Sequence, residues 1–482
     1  MQNPMYYNRT LRKIAWWAYR SDGSVASIVN YARSLFTLDH VAVGRVRRKN
    51  KKRPRNFAQN VALLEKALRV IRYKELIRDM ILKCCLDGTY FYYLETRPAL
   101  PMTRKILSDM DVQMTYEINA DEPSVSIIAL PVDYCRIICR KNNSYVIAFN
   151  LSYFQQFTGA QLRNQLATMP GEIREAYQNS ATCGVGEWVV LDNQRTLVGK
   201  IRTGINQPWG EPLIISALND VLYSDYFVST KRNLLDELNN QIIYQTFPEG
   251  AQKGTSALTD KQQATQHETV KSAIMKRQNS GGVSFFSLPG GTKLERLEVD
   301  TSLFSDAAEG EVRDNVATDI GVAPSVLNGK ANGNYATSTL NIELFSSYVY
   351  TWVEAFVTEL NKALNACIIC DTSCPVDIYI MPTTFANRDK FVGQMKELYT
   401  TGKGSLTFWV AATGVDSNAY ISLMEHELNE DFENRFPVHK TSFTAPSESG
   451  DQGGRPEEDS PTASSTISTK ANNGNEAPKP SV

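Results

Sequence analysis

Four histidines, His40, His267, His426 and His439, are the only imidazole bases in this 482-residue chain, and none stands in a catalytic spacing. His426-Glu427 opens like the H-E-x-x-H of a zinc hydrolase, but Glu430 occupies the place of the second histidine. Gly199-Lys200 is the nearest approach to a phosphate-cradling P-loop. It has Gln194 where the first glycine belongs and Ile201 where a magnesium-holding Ser or Thr belongs. Gly184-Val185-Gly186 is a lone G-x-G with Val189 in the third glycine position, and no G-x-S-x-G nucleophile elbow occurs. Cys367, Cys370 and Cys374 form the one pattern with metal chemistry, since C-x-x-C presents two thiolates and Cys374 a third. No fourth ligand is evident, and small buried cysteines at a helix end are the commoner outcome. Vicinal Cys84-Cys85 reads as packing inside a helix rather than as a redox pair. The expectation is no catalytic site, no cofactor and no metal.

Composition narrows the partners. With 51 basic and 52 acidic residues the chain is nearly neutral, so nucleic acid, if met, is met locally or loosely. The one dense basic block runs Arg45, Arg47, Arg48, Lys49, Lys51, Lys52, Arg53 and Arg55. It reads either as a phosphate or acidic-partner contact or as a solvated connector. No apolar run of membrane-spanning length exists, and the start lacks the apolar core of a signal peptide, so neither spanning nor secretion by that route is expected. Eight cysteines in so long a chain are sparse, which suggests free thiols in cytoplasm.

The elements that position these residues are helices with a strand-rich interlude, an α+β pattern. Residues 57–85 are helical, with Leu64, Leu68, Ile71 and Met80 on one face, and Asp87-Gly88 ends the element. Strands are expected at 89–95, 111–119, 124–130, 134–139, 144–150, 187–191 and 197–202, with short helices at 160–169 and 172–178. Pro208-Trp209-Gly210 turns into a long helix, 214–244. Residues 248–299 change character, with a helix around Val270 and a hairpin of 283–288 with 294–299 about Pro289-Gly290-Gly291. Phe304, Ala308, Val312, Val316 and Ile320 repeat every four residues along a second helix that stops at Gly321. A Gly- and Asn-rich loop follows, and from Ser338 a broad stripe of Phe345, Tyr348, Trp352, Phe356 and Leu360 marks a helix of about 42 Å. Val376–Met381 is a strand, and 389–400 and 421–433 are helices. From Thr444 onward the chain lacks core-forming residues and is expected to be disordered.

The run IGVAPSVLNGKANGNYATSTLNIELF, between a helix and a longer amphipathic helix, resembles the portal proteins of tailed double-stranded DNA bacteriophages, in which stem helix, tunnel loop and tunnel helix occur in this order. NQPWGEPLIISALNDVLYSDYFVSTKRNLLDELNNQIIYQTF resembles the other stem helix, and LLEKALRVIRYKELIRDMILKCCLDGTYFYYLE the wing helix entering an aromatic strand. The resemblance implies a portal fold assembled as a ring: N-terminal region and wing 1–213, first stem helix 214–247, clip 248–299, second stem helix 300–321, tunnel loop 322–337, tunnel helix 338–366, return to the wing 367–388, crown 389–443 and tail 444–482.

It further implies a non-enzymatic dodecamer at one capsid vertex of the virion, assembled in the host cytoplasm. Double-stranded DNA would pass through its channel during packaging and ejection. The implied partners are the terminase large subunit, the major capsid protein and scaffold, and a head-completion adaptor; no membrane is involved. On this reading the tunnel-loop residues Leu327, Asn328, Lys330, Asn332, Asn334 and Tyr335 face DNA, and Phe345, Tyr348, Trp352 and Phe356 pack the tunnel helix. Gly290 and Gly291 form the clip tip. Asp306, Glu309 and Arg313 belong to a stem segment whose acidic excess, with Glu311, Asp314 and Asp319, would repel phosphate rather than grip it. The rival readings are a nucleic-acid-binding factor using residues 45–55, and another structural virion protein.

Overall fold

The run Thr-Tyr-Phe-Tyr-Tyr-Leu-Glu at 89–95 is apolar or aromatic on both faces, and as a strand it is buried along its whole length. Successive side chains of a strand point to opposite sides. Tyr90, Tyr92 and Leu94 enter one core and Phe91 and Tyr93 another. This strand is the partition about which the fold is built.

The computed structural model describes residues 6–44, 56–97, 124–142, 144–180, 187–239, 243–252, 255–280, 291–296, 306–328 and 335–436. In chain order the elements are α1 (Asn8–Ser21), α2 (Gly23–Ser34), β1 (His40–Gly44), α3 (Phe57–Val70), α4 (Tyr73–Leu86), β2 (Thr89–Glu95), β3 (Ser126–Ala129), β4 (Cys135–Lys141) and β5 (Ser144–Asn150). Then come α5 (Gly159–Thr168), α6 (Gly171–Asn179), β6 (Trp188–Val190), β7 (Thr196–Lys200), α7 (Leu218–Asn239), β8 (Ile243–Thr246), α8 (Asp260–Ser280) and β9 (Lys293–Arg296). The chain closes with α9 (Asp306–Ile320), α10 (Pro324–Asn328), α11 (Tyr335–Leu364), β10 (Val376–Ile380), α12 (Arg388–Thr400), α13 (Leu406–Ala412), α14 (Ser417–Asn429) and α15 (Phe432–Arg435).

Every strand pairing among the described residues is antiparallel: β3-β2-β7, β4-β5-β6, β1-β10 and β8-β9. The larger core lies on the Tyr90 side of β2, where α2, α4, the buried face of α11 and the end of α9 converge. The smaller core gathers Phe149, Phe154 and Ile173 with Phe91 on the other side. Residues Met1–Ser417 form one compact unit and Asn418–Val482 a second. In the second, His426 packs edge-on against Phe432, which in turn meets Phe436.

Several expectations are revised. The helix over 57–85 is two helices, because Arg72 adopts a left-handed conformation and turns the chain between them. The break lets α3 reach β10 while α4 packs on α2 and β2. The helix expected to Tyr244 begins with a tight 3-10 turn at Leu213–Ala217 and ends by Asn239, and Tyr244 lies in β8. β9 pairs with β8 across some fifty residues; the hairpin partner expected at 283–288, like the strand at 111–119, lies outside the described residues. A short helix, α10, interrupts the loop expected over 322–337 and starts on Pro324, whose missing N–H costs nothing at a first helical position. α13 was not anticipated, and the last long helix stops at Asn429, just before the left-handed Asp431.

Candidate functional site

The sequence pointed to α7, α9 and α11 and the loop between the last two. α7 and α9 pack along each other, with Val221, Val316, Ala317 and Ile320 in the larger core and Phe227 and Val312 buried further out. Glu309 is held by Lys231 of α7 at 2.8 Å and by Arg313, one turn on, at 2.8 Å. This carboxylate, expected to belong to a stem, is therefore neutralised within the chain. Asp306 is placed at the start of α9.

Gly321 ends α9 at φ +94°, with its own N–H and that of Val322 both returning to the Ala317 carbonyl. The loop base is then tied. Asn341 of α11 accepts from the Ala323 N–H at 2.7 Å and donates to the Gly321 carbonyl at 3.3 Å, while the Ser325 and Ser338 hydroxyls meet at 2.8 Å. Leu327 and Asn328 close α10 and Tyr335 opens α11, whereas Lys330, Asn332 and Asn334 lie outside the described residues. Gly291 sits at φ +87°, where an added Cβ would meet Pro248; Gly290 lies outside the described residues.

α11 joins the sheets. Phe356, Trp352 and Phe345 are buried inside this chain, with Phe356 edge-on to Tyr90 and Tyr92, while Tyr348 is 42% exposed. The residues that sequence reasoning missed are polar ones in this stripe. Asn361 donates to the Ile378 carbonyl at 2.9 Å and accepts from the Ile378 N–H at 2.8 Å. One turn on, Asn365 donates to the Val376 carbonyl at 2.9 Å and accepts from its N–H at 3.0 Å. Tyr350 donates to the Ile380 carbonyl at 2.6 Å. These side chains replace a neighbouring strand and close the free edge of β10. On the other side Lys362 ties α11 to the Ser144 hydroxyl, Asn193 and the Thr196 carbonyl, and pairs with Glu359. The available signal was two asparagines at i and i+4 inside an otherwise apolar face.

The groups with chemical potential are dispersed. Cys84 and Cys85 are fully buried, and burial pushes the Cys85 thiol up to about 12. Cys374 is buried, Cys370 is exposed with its thiol on the Ala366 carbonyl, and Cys367 faces the Gln194 carbonyl. Among the described residues no group of three or more His, Cys, Asp or Glu is arranged to hold a metal ion. His40 is clasped between Glu65 and the Tyr73 hydroxyl, itself donating to the Leu38 carbonyl. No helix of the described residues is long and apolar enough to cross a membrane. The basic block 45–55 lies outside the described residues.

No family model matches the chain. It is 23% identical over 496 residues to an SPbeta prophage-derived uncharacterized protein, YonE, of Bacillus subtilis (strain 168), covering 99% of this chain and 89% of that protein. Among solved structures it is similar to a chain from the neck of an empty GTA particle, at 12% identity and a TM-score of 0.47, covering 85% of this chain and 94% of the other. It is also similar to an HK97 family phage portal protein from Corynebacterium diphtheriae, at 14% identity and a TM-score of 0.29, over 75% and 96% of the two chains.

Proposed function

We propose that this chain is the subunit of a phage portal, a ring-shaped channel for double-stranded DNA at one capsid vertex. The observation that carries the reading is the path of the chain. Helix α7 leaves the larger core, an insertion with its own two-stranded antiparallel pair and helix follows, and α9 returns antiparallel into the same core. A tied loop then leads into the buried α11. Such a stem exposes Leu222, Tyr223 and Tyr226 on a helix that one chain covers incompletely, which favours packing between copies. Similarity over 99% of this chain to a prophage-derived protein supports a phage origin.

On this reading the subunit is structural rather than enzymatic. It forms a dodecamer assembled in the host cytoplasm and carried in the virion. Residues 248–299 are the docking surface for the terminase large subunit and later a head-completion adaptor, while capsid protein and scaffold meet the outside of the ring. Leu327, Asn328, Lys330, Asn332, Asn334 and Tyr335 are the proposed channel residues, where sliding needs weak contact blind to base sequence. The test is Lys330→Glu combined with Asn332→Trp. Ring assembly should be unchanged and packaged DNA reduced; full heads of normal stability would refute the channel assignment.

A further inference from the structure

The start of the chain is strongly basic. Its first 21 residues hold Arg9, Arg12, Lys13 and Arg20 and no acidic residue. Leu11, Arg12, Ala15 and Ala18 bury one face of α1, and Arg9 and Lys13, one turn apart, stand exposed on another. Beside them a cup of about 500 Å³ opens between α1 and the 3-10 turns at Val132–Tyr134 and Leu151–Gln156. Its wall is aromatic. Tyr153 packs edge-on against both Tyr134 and Phe157, with ring centres 5.1 and 5.3 Å apart, and the Trp16 indole lines the cup from α1.

Asp133 and Asp87 line the cup too, and both are engaged. Asp133 accepts from Arg9 Nε at 3.0 Å and from the buried Arg12. Asp87, 8% exposed, accepts from the Trp16 indole N–H at 2.8 Å. Arg9 still keeps 62% of its side chain exposed, and Lys13 has neither an ion pair nor a hydrogen-bond partner among the described residues. One carboxylate shared by two arginines, with an unpaired ammonium beside them, leaves the rim positive. A hollow of this size admits a single apolar side chain, and the cations above it select what flanks that side chain. An apolar anchor with acidic neighbours satisfies both. Duplex DNA satisfies only the rim, because its bases are stacked inside and cannot enter the cup.

We propose that this cup is the docking site for an acidic peptide segment of another protein, which inserts one aromatic or branched aliphatic side chain among Trp16, Tyr134 and Phe157 and sets a neighbouring Asp or Glu against Lys13 and Arg9. The contact needs one copy of the chain, so its test is independent of the ring reading. The experiment measures fluorescence anisotropy of the purified protein with labelled pentapeptides: Glu-Glu-Phe-Glu-Glu, the same peptide with Leu or Gln at its centre, and Lys-Lys-Phe-Lys-Lys. A single-stranded and a duplex oligodeoxynucleotide are titrated alongside.

The acidic peptides centred on Phe or Leu should bind at least about tenfold more tightly than the Gln-centred or the Lys-flanked one, and the affinity should fall as salt rises. Lys13→Glu should weaken them at least about tenfold with unchanged melting temperature, because Lys13 is exposed and makes no contact that holds the fold. Absence of binding by every peptide overturns the proposal, as does equal binding of the acidic and Lys-flanked ones. Oligonucleotide binding that Lys13→Glu abolishes, with no binding of the acidic peptides, overturns it in favour of nucleic acid. If Lys13→Glu melts early, Lys13→Gln replaces it: a smaller loss of affinity supports the cup, and no loss overturns it.

Discussion

Helices α11 and α7 are both long, yet one is an interior element and the other is partly bare. Along α11 Val349, Val353, Phe356, Leu360, Ala363 and Leu364 have no exposed surface, and polar side chains on the same helix finish the edges of two sheets. Along α7, after Val221, the described buried anchor is Phe227, while Leu222, Tyr223 and Tyr226 are 47%, 54% and 68% exposed. The difference separates what one chain covers by itself from what, on the proposed ring reading, a neighbouring copy would cover. Substitutions in α11 should act on folding, and substitutions on the bare face of α7 on assembly.

The largest effect is expected from Phe356→Ala. Removing a fully buried ring that packs on Tyr90 and Tyr92 should cost about 3–5 kcal/mol in chemical denaturation. Tyr226→Ala should leave stability within about 0.5 kcal/mol yet weaken self-association. Comparable unfolding losses from both would erase the distinction.

Asn361→Leu comes next. It strips two hydrogen bonds from Ile378 and leaves a buried N–H and carbonyl unpaired, so a loss of about 2–4 kcal/mol is expected. A near-neutral result would mean that the β10 edge is satisfied by other means. Lys231→Met should be milder, about 1 kcal/mol or less, because the ion pair with Glu309 is partly solvated and Arg313 remains. Thermal melting at low and high salt checks it, with the difference between parent and variant shrinking as salt rises.

The smallest effect concerns pH. Burial raises the Asp87 carboxyl above its ordinary value, despite the hydrogen bond from the Trp16 indole N–H at 2.8 Å. The folded chain therefore binds this proton more tightly than the unfolded chain. Its contribution to stability falls as pH rises from the ordinary carboxylate range through the raised value. Asp87→Asn keeps an acceptor for Trp16 and should remove that part of the slope. An unchanged pH profile of melting would contradict the assignment.

The contrast also shows what the sequence made legible. The four-residue repeat of Val312, Val316 and Ile320 and the broad stripe from Phe345 to Leu364 specify amphipathic helices by themselves, since helical period is local information. Strand 89–95 was legible because both faces are apolar. The pairing of β8 with β9 was not, because register between distant segments depends on the tertiary path rather than on neighbours in the chain. Nor was the turn at Arg72, which carries neither glycine nor proline to announce it. Asn361 and Asn365 were visible as letters, but their role appears only when the edge of β10 lies alongside. Of the expected channel residues, Lys330, Asn332 and Asn334 fall outside the described residues.

Native mass spectrometry of the purified protein, in mild salt and across a concentration series, bears most directly on the central claim. The account predicts a closed ring of one defined stoichiometry, twelve copies by the resemblance, that falls apart when the bare face of α7 is made charged at Tyr226. A stable monomer or dimer of the intact chain at every concentration would contradict it.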